Sequence, residues 1–111
     1  MAETGLGEFE QLVLLALVRV GENAYGVPIH DELASRARRP VNLAAVYKTL
    51  ERLEAKGYIS SHVGDPTPER GGRRRKYFKL EAAGRHALRE SLALLRRMTA
   101  GIEADLPGGG F

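Results

Sequence analysis

Residues 64–79 concentrate the charge chemistry of the chain: Arg70, Arg73, Arg74, Arg75, Lys76 and Lys79 stand against only Asp65 and Glu69. This stretch carries +4 while the whole 111-residue chain carries +3, so everything else sums to −1. Basicity this local suits a partner of dense negative charge better than it suits general solubility. Cations gathered on one short hairpin neutralise phosphates and release their counterions, which makes binding steeply salt-dependent. The competing reading is a solvated hairpin whose charges only resist edge-to-edge association. A second group shifts the balance: Ala44, Ala45, Tyr47 and Lys48 follow Asn42 at the start of a helical pattern. Small residues beside a tyrosine and a lysine let a helix approach a groove closely and reach phosphates or base edges. The expected partner is double-stranded DNA. Tyr47 and Lys48 would enter the major groove while Arg73, Arg74, Arg75 and Lys76 hold the hairpin to phosphates, with a minor groove within reach. For Tyr47 the competing role is partial burial against the preceding helix, with its hydroxyl left outside. Arg38 and Arg39 could add a backbone contact, although plain solvation explains them better.

These residues need elements to position them. Leu6 to Val20 reads as a first helix closed by Gly21. Phe9, Val13, Ala16, Leu17 and Val20 form one stripe, and Leu12, Leu14, Leu15 and Val18 make the remaining surface apolar too. Such a helix needs cover on more than one side. A second copy of the chain is the expected cover, with Phe9 and Val13 at that contact. A short helix follows from about Val27 to Arg36, burying Ile29 and Leu33, and Arg38-Arg39-Pro40 turns the chain. Asn42 is a good N-cap, because its side-chain oxygen can accept from a free backbone N–H. Val41 and Val46 stand at hydrophobic-staple positions. Leu43, Val46, Leu50 and Leu53 form the expected core stripe, and Gly57 ends the helix. Two strands come next: Tyr58 to Val63, with Ile59 and Val63 inside, and Arg75 to Leu80, with Phe78 and Leu80 on one face. The connection from Gly64 to Gly72 is too long for a tight hairpin.

A last helix is expected from roughly Glu81 to Leu106. Leu88, Leu92, Leu95, Thr99, Ile102 and Leu106 are spaced by 4, 3, 4, 3 and 4 residues, a heptad seam that Leu94 and Met98 widen. A small core cannot cover so much apolar surface, so a homodimer through Leu88, Leu92, Leu95 and Ile102 is expected. The fold class is α+β, mainly α: a winged helix-turn-helix domain over residues 1–80 with a two-stranded wing, then a long C-terminal dimerisation helix over 81–106. Residues 107–111 read as a flexible tail.

Other classes fit poorly. The absence of cysteine removes disulfides, a thiol nucleophile and thiolate metal ligands. Leu12 to Val18, the longest apolar run, is too short to span a bilayer, so no membrane partner is expected. No basic start followed by an apolar stretch marks a signal peptide, and a cytoplasmic location is expected. His30, His62 and His86 have no metal-site spacing, and His30-Asp31-Glu32 reads as an exposed helical face. There is no Gly-x-Ser-x-Gly, phosphate-cradling loop or paired histidine, so neither an enzyme nor a cofactor is expected.

The order of motifs is informative as a whole: helix, Tyr25-Gly26, short helix, capped helix with Tyr47-Lys48-x-Leu50-x-x-Leu53, Lys56-Gly57-Tyr58-Ile59, basic hairpin, Lys76-Tyr77-Phe78-x-Leu80, long helix. It resembles the PadR-like transcriptional regulators, from Leu6 to about Leu106, and in particular the short subfamily with a single C-terminal dimerisation helix. The resemblance implies a homodimeric repressor that binds an inverted repeat and is released by a small hydrophobic or phenolic effector. It matches Tyr47 to the family's recognition-helix tyrosine, Gly57 to the helix-ending glycine and Arg75-Lys76-Tyr77 to the wing strand. Glu81, where the family commonly caps its last helix with Thr or Ser, and Val27-Pro28, where an aromatic residue is commoner, depart from the pattern. An effector would sit between the first and last helices, with Phe9 and Met98 as adaptable contacts, although core packing also explains both. Two alternatives stay open: a winged-helix module that docks a protein partner, and a repressor of the MarR-like or penicillinase-repressor-like families.

Overall fold

The computed structural model describes residues 5–64 and 74–106. Its elements run α1 (Glu8–Val20), α2 (Gly26–Ala37), α3 (Leu43–Ala55), β1 (Ile59–Val63), β2 (Lys76–Leu80) and α4 (Ala82–Thr99), followed by a 3-10 turn at Glu103–Asp105. The expected cationic tip, with Asp65, Glu69, Arg70 and Arg73, and the tail from Pro107 to Phe111 lie outside the described residues.

Helix α1 starts later than its apolar pattern, because Glu10 bends back and its Oε1 accepts the Gly7 N–H at 2.9 Å. That arrangement is the glutamate half of a capping box. The same carboxylate accepts from Lys56 Nζ at 2.9 Å, tying α1 to the end of α3. Burial would push the Glu10 carboxyl up, but the Lys56 and Gly7 hydrogen bonds and the charges of Lys56 and Arg52 outweigh it and hold the carboxyl below its ordinary value. A depressed carboxyl stabilises the fold above its unfolded value and loses that contribution as pH falls through the folded one. Glu10→Gln is therefore expected to cost about 1–2 kcal/mol at neutral pH, with the difference from the parent shrinking below about pH 4. Urea titrations at several pH values would check this, and a difference independent of pH would refute it.

Helix α3 begins as its cap predicts: Asn42 Oδ1 accepts from the backbone N–H of Ala44 at 2.7 Å and of Ala45 at 3.3 Å. Asn42→Ala should lower stability by about 1 kcal/mol in thermal melts, whereas Asn42→Asp should largely preserve it. Val46, Leu50 and Leu53 are enclosed, and Thr49 joins them at 3% exposure. Leu43 departs from the expected stripe at 38% exposure. It lies on the correct face, but as the first residue of α3 it projects past the core.

The sheet is antiparallel, in register from Ile59↔Leu80 to Val63↔Lys76. Ile59 and Phe78 are buried, but Val63 is exposed because the ribbon has by then left the body. Its alternation is right and its expected burial is not. The Phe78 N–H donates to Ala24 C=O at 2.8 Å, so the α1–α2 connection covers the outer edge of β2. Around this frame Val13, Leu14, Ile29, Val46, Leu50, Leu53 and Ile59 form the enclosed core.

Helix α4 docks through its first turns. Glu81 N–H donates to Tyr58 C=O at 3.0 Å, and Gly84, Ala87 and Leu88 are buried. The helix ends at Thr99, short of the expected Leu106. Thr99 Oγ1 bonds the carbonyls of Leu95 and Arg96, and Gly101 turns the chain at φ +82°. A hydroxyl bonded to its own helix and a left-handed glycine together stop α4, so Ile102 and Leu106 lie off the heptad seam. The radius of gyration is 16.1 Å, against about 13 Å for a compact chain of this length. The outer half of α4 is poorly covered: Leu94, Leu95 and Met98 are all at least half exposed. Among the described residues, no helix is long and apolar enough to cross a membrane.

Candidate nucleic-acid interface

The exposed start of α3 presents Ala44, Tyr47 and Lys48, with Ala45 half-buried beside them. Tyr47 is 41% exposed, and its covered half rests on the backbone of Gly26 at the start of α2. A methyl group on Gly26 would stand 2.3 Å from two ring carbons and 2.5 Å from the hydroxyl oxygen. The ring is therefore packed on α2, as the competing reading expected, and part of it stays open to solvent.

The preceding residue seats the wing. Arg75 places its guanidinium 4.5 Å from the centre of the Tyr25 ring, a cation–π contact. Tyr25 in turn meets Tyr77 edge-on at 5.8 Å, and Tyr77 lies 5.6 Å from His62. Consecutive residues, Tyr25 and Gly26, thus carry the wing arginine and the α3 tyrosine. Sequence spacing gave no sign of this joint function, because both partners arrive from distant elements.

The remaining expected cations divide. Arg74 is exposed. Lys76 is tied back to the body, with Nζ 3.5 Å from Glu54 of α3 and 5.7 Å from the Phe78 ring centre. Arg73 lies outside the described residues. Arg38 caps α2 in the left-handed conformation, and Arg39 pairs with Glu8 at 3.4 Å on the surface. Such an exposed pair contributes little.

His30 is a residue whose role the sequence hid. It is not part of a simple exposed face: its Nδ1 lies 3.0 Å from Asp31 Oδ1 and its Nε2 2.8 Å from the Val41 carbonyl. The hydrogen bond to Asp31, then that to Val41, and the charge of Asp31 raise the imidazole above its ordinary value against a small opposing effect of burial. No periodic signal links His30 to Val41, since only the α2–α3 turn joins them.

The expected association residues also divide. Val13 is fully enclosed and Leu88 is 7% exposed, so the chain's own core already covers both and neither can offer surface to a second copy. Phe9 and Leu92 are half-buried, while Leu95 and Ile102 remain exposed with Leu94, Met98 and Val18. Between α1, β2 and α4 runs an open groove of about 790 Å³, with Leu17, Phe78, Leu80 and Leu88 along it and Arg85 and Arg89 at its border. Among the described residues, no cluster of His, Asp or Glu is placed to hold a metal ion.

The profile of the PadR-like family of transcriptional regulators matches residues 14–90. A PadR family transcriptional regulator from Eggerthella lenta is 28% identical; the similarity covers 92% of this chain and 88% of that one, with a TM-score of 0.67. A PadR family regulator from Clostridium difficile is 24% identical over 89% of this chain and 98% of its own, with a TM-score of 0.69. A Mycobacterium tuberculosis transcriptional regulator solved in complex with DNA is 23% identical over 94% of this chain and 66% of its own, with a TM-score of 0.62. The last two similarities concern the fold. No curated protein matches the chain.

Proposed function

Because the chain belongs to the PadR-like family, whose members are transcriptional regulators and not enzymes, we propose that it is a homodimeric repressor that binds a pseudo-palindromic site on duplex DNA. The observation that carries this reading is the shared seat at Tyr25-Gly26, where Arg75 of the wing meets the Tyr25 ring and Tyr47 of α3 rests on Gly26. One joint then relates a groove-reading helix to a phosphate-binding ribbon. Tyr47 and Lys48 contact the major groove, Ala44 and Ala45 permit the approach, and Arg73, Arg74 and Arg75 hold phosphates, with Lys76 bracing the wing against Glu54. A Mycobacterium tuberculosis regulator of similar fold was solved in complex with DNA, which agrees with duplex DNA as the partner.

The second copy covers the apolar surface of Leu94, Leu95, Met98 and Ile102, with Phe9 and Leu92 at its border. A two-fold axis through this surface sets the two copies of α3 about one DNA turn, roughly 34 Å, apart. A small hydrophobic effector would occupy the groove between α1, β2 and α4 and release the operator by shifting α4 against the wing.

Selection of duplexes from a random pool, followed by titrations at two salt concentrations, tests the proposal. Enrichment of an inverted repeat is expected, lost with Tyr47→Ala or Lys48→Ala. Arg74→Ala should weaken all sequences alike and flatten the salt dependence by about one counterion. Weak, sequence-independent binding would overturn the proposal and favour a protein-docking module.

A further inference from the structure

We infer that His30 is a positioning residue for the recognition helix: as an imidazolium it clasps the turn before α3 to α2, and specific DNA binding weakens when the ring loses its proton. The inference rests on the DNA-binding reading of α3, but the clasp itself can be tested without DNA. Its basis is geometric. Both ring nitrogens face acceptors, Asp31 Oδ1 at 3.0 Å and the Val41 carbonyl at 2.8 Å. A neutral imidazole has one N–H, so it leaves a lone pair facing either a carboxylate or a carbonyl. Only the charged ring donates to both.

The place of the clasp gives it leverage. Val41 immediately precedes Asn42, whose side chain caps α3 through Ala44 and Ala45. A shift of the Val41 carbonyl moves the cap, and with it the first turns that present Tyr47 and Lys48. Other charges near the turn do not replace His30. Asp31 is its partner on α2; on the turn Arg38 is exposed and Arg39 reaches to Glu8 of α1. The first turn of α3, Leu43 to Val46, has no titratable side chain. The raised proton affinity of His30 agrees with the geometry. Its stabilising effect is complete below the unfolded value of about 6.5 and is lost as pH rises through the higher folded value. By reciprocity, binding of specific DNA should draw protons onto the ring.

The test has two arms. In DNA-free protein, NMR titration should show the backbone amides of Asn42 to Ala45 shifting together with the His30 ring, and Asp31→Asn should move that shared midpoint to lower pH. In the second arm, operator and random duplex are titrated at fixed ionic strength. Operator affinity should fall roughly threefold to tenfold between about pH 6 and about pH 8.5, more than affinity for random duplex. Random duplex reports the sequence-independent part of the pH dependence. His30→Gln should flatten the difference between the two duplexes. Amides that ignore the His30 titration overturn the clasp even if no operator is found. An unaltered pH profile in His30→Gln, or in Asp31→Asn should the glutamine variant fold poorly, overturns its effect on binding.

Discussion

Gly84→Ala is expected to destabilise the protein by about 2–4 kcal/mol and lower its melting temperature by roughly 10–20 °C. The added methyl would stand 2.2 Å from the Tyr58 carbonyl oxygen, 2.9 Å from its carbon and 3.0 Å from Leu80 Cδ1. This obstacle is backbone and cannot rotate away. Tyr58 is held on both sides, its N–H by Leu53 C=O at 3.0 Å and its C=O by the Glu81 N–H at 3.0 Å. The remaining response is for α4 to lift off, which uncovers Ala87 and Leu88 and adds about 1.5–3 kcal/mol of lost leucine burial if the separation is complete. Urea and thermal unfolding would measure the loss. Sedimentation of the same samples would show whether self-association falls with it, as the proposed role of α4 requires. A change below about 0.5 kcal/mol would mean that α4 does not dock this closely.

Gly26→Ala should have the opposite profile, a small effect on stability and a large one on DNA. Here the obstructing atoms belong to the end of the Tyr47 side chain, which is 41% exposed and can swing outward. Alanine is also a better helix former than glycine, so the net stability change should stay within about 1 kcal/mol. Operator affinity, in contrast, should fall about tenfold or more, because the displaced ring alters the surface of α3 proposed to enter the groove. A double-mutant cycle isolates the cause. If the Gly26 methyl acts through Tyr47, adding Gly26→Ala to a Tyr47→Ala background should change affinity little. Full additivity would show that Gly26 acts through α2 and not through the ring it seats.

These two glycines illustrate what no local pattern could disclose. Composition alone does not distinguish a glycine under a tyrosine ring from one against a carbonyl, yet the first is expected to act on binding and the second on stability. Each contact joins residues brought together by helix docking, as do His30 with Val41 and Glu10 with Lys56.

Local patterns were enough to place the elements. Asn42 set the start of α3, period and parity put Val46, Leu50, Leu53, Ile59 and Phe78 inside, and the ordered motifs pointed to the family that the profile matches. Capping and alternation act within a few residues, so they are legible without the fold. How far each element stays covered depended on the packing of the whole domain. Leu43 and Val63 lie on correct faces but beyond the edge of the core, while Val13 and Leu88, expected at a partner, are enclosed by their own chain. That packing also decided where α4 stops and which residues Tyr25, Gly26 and His30 touch. Burial and long-range contact depend on the placement of every other element, and that placement is a property of the assembled core, not of any short segment.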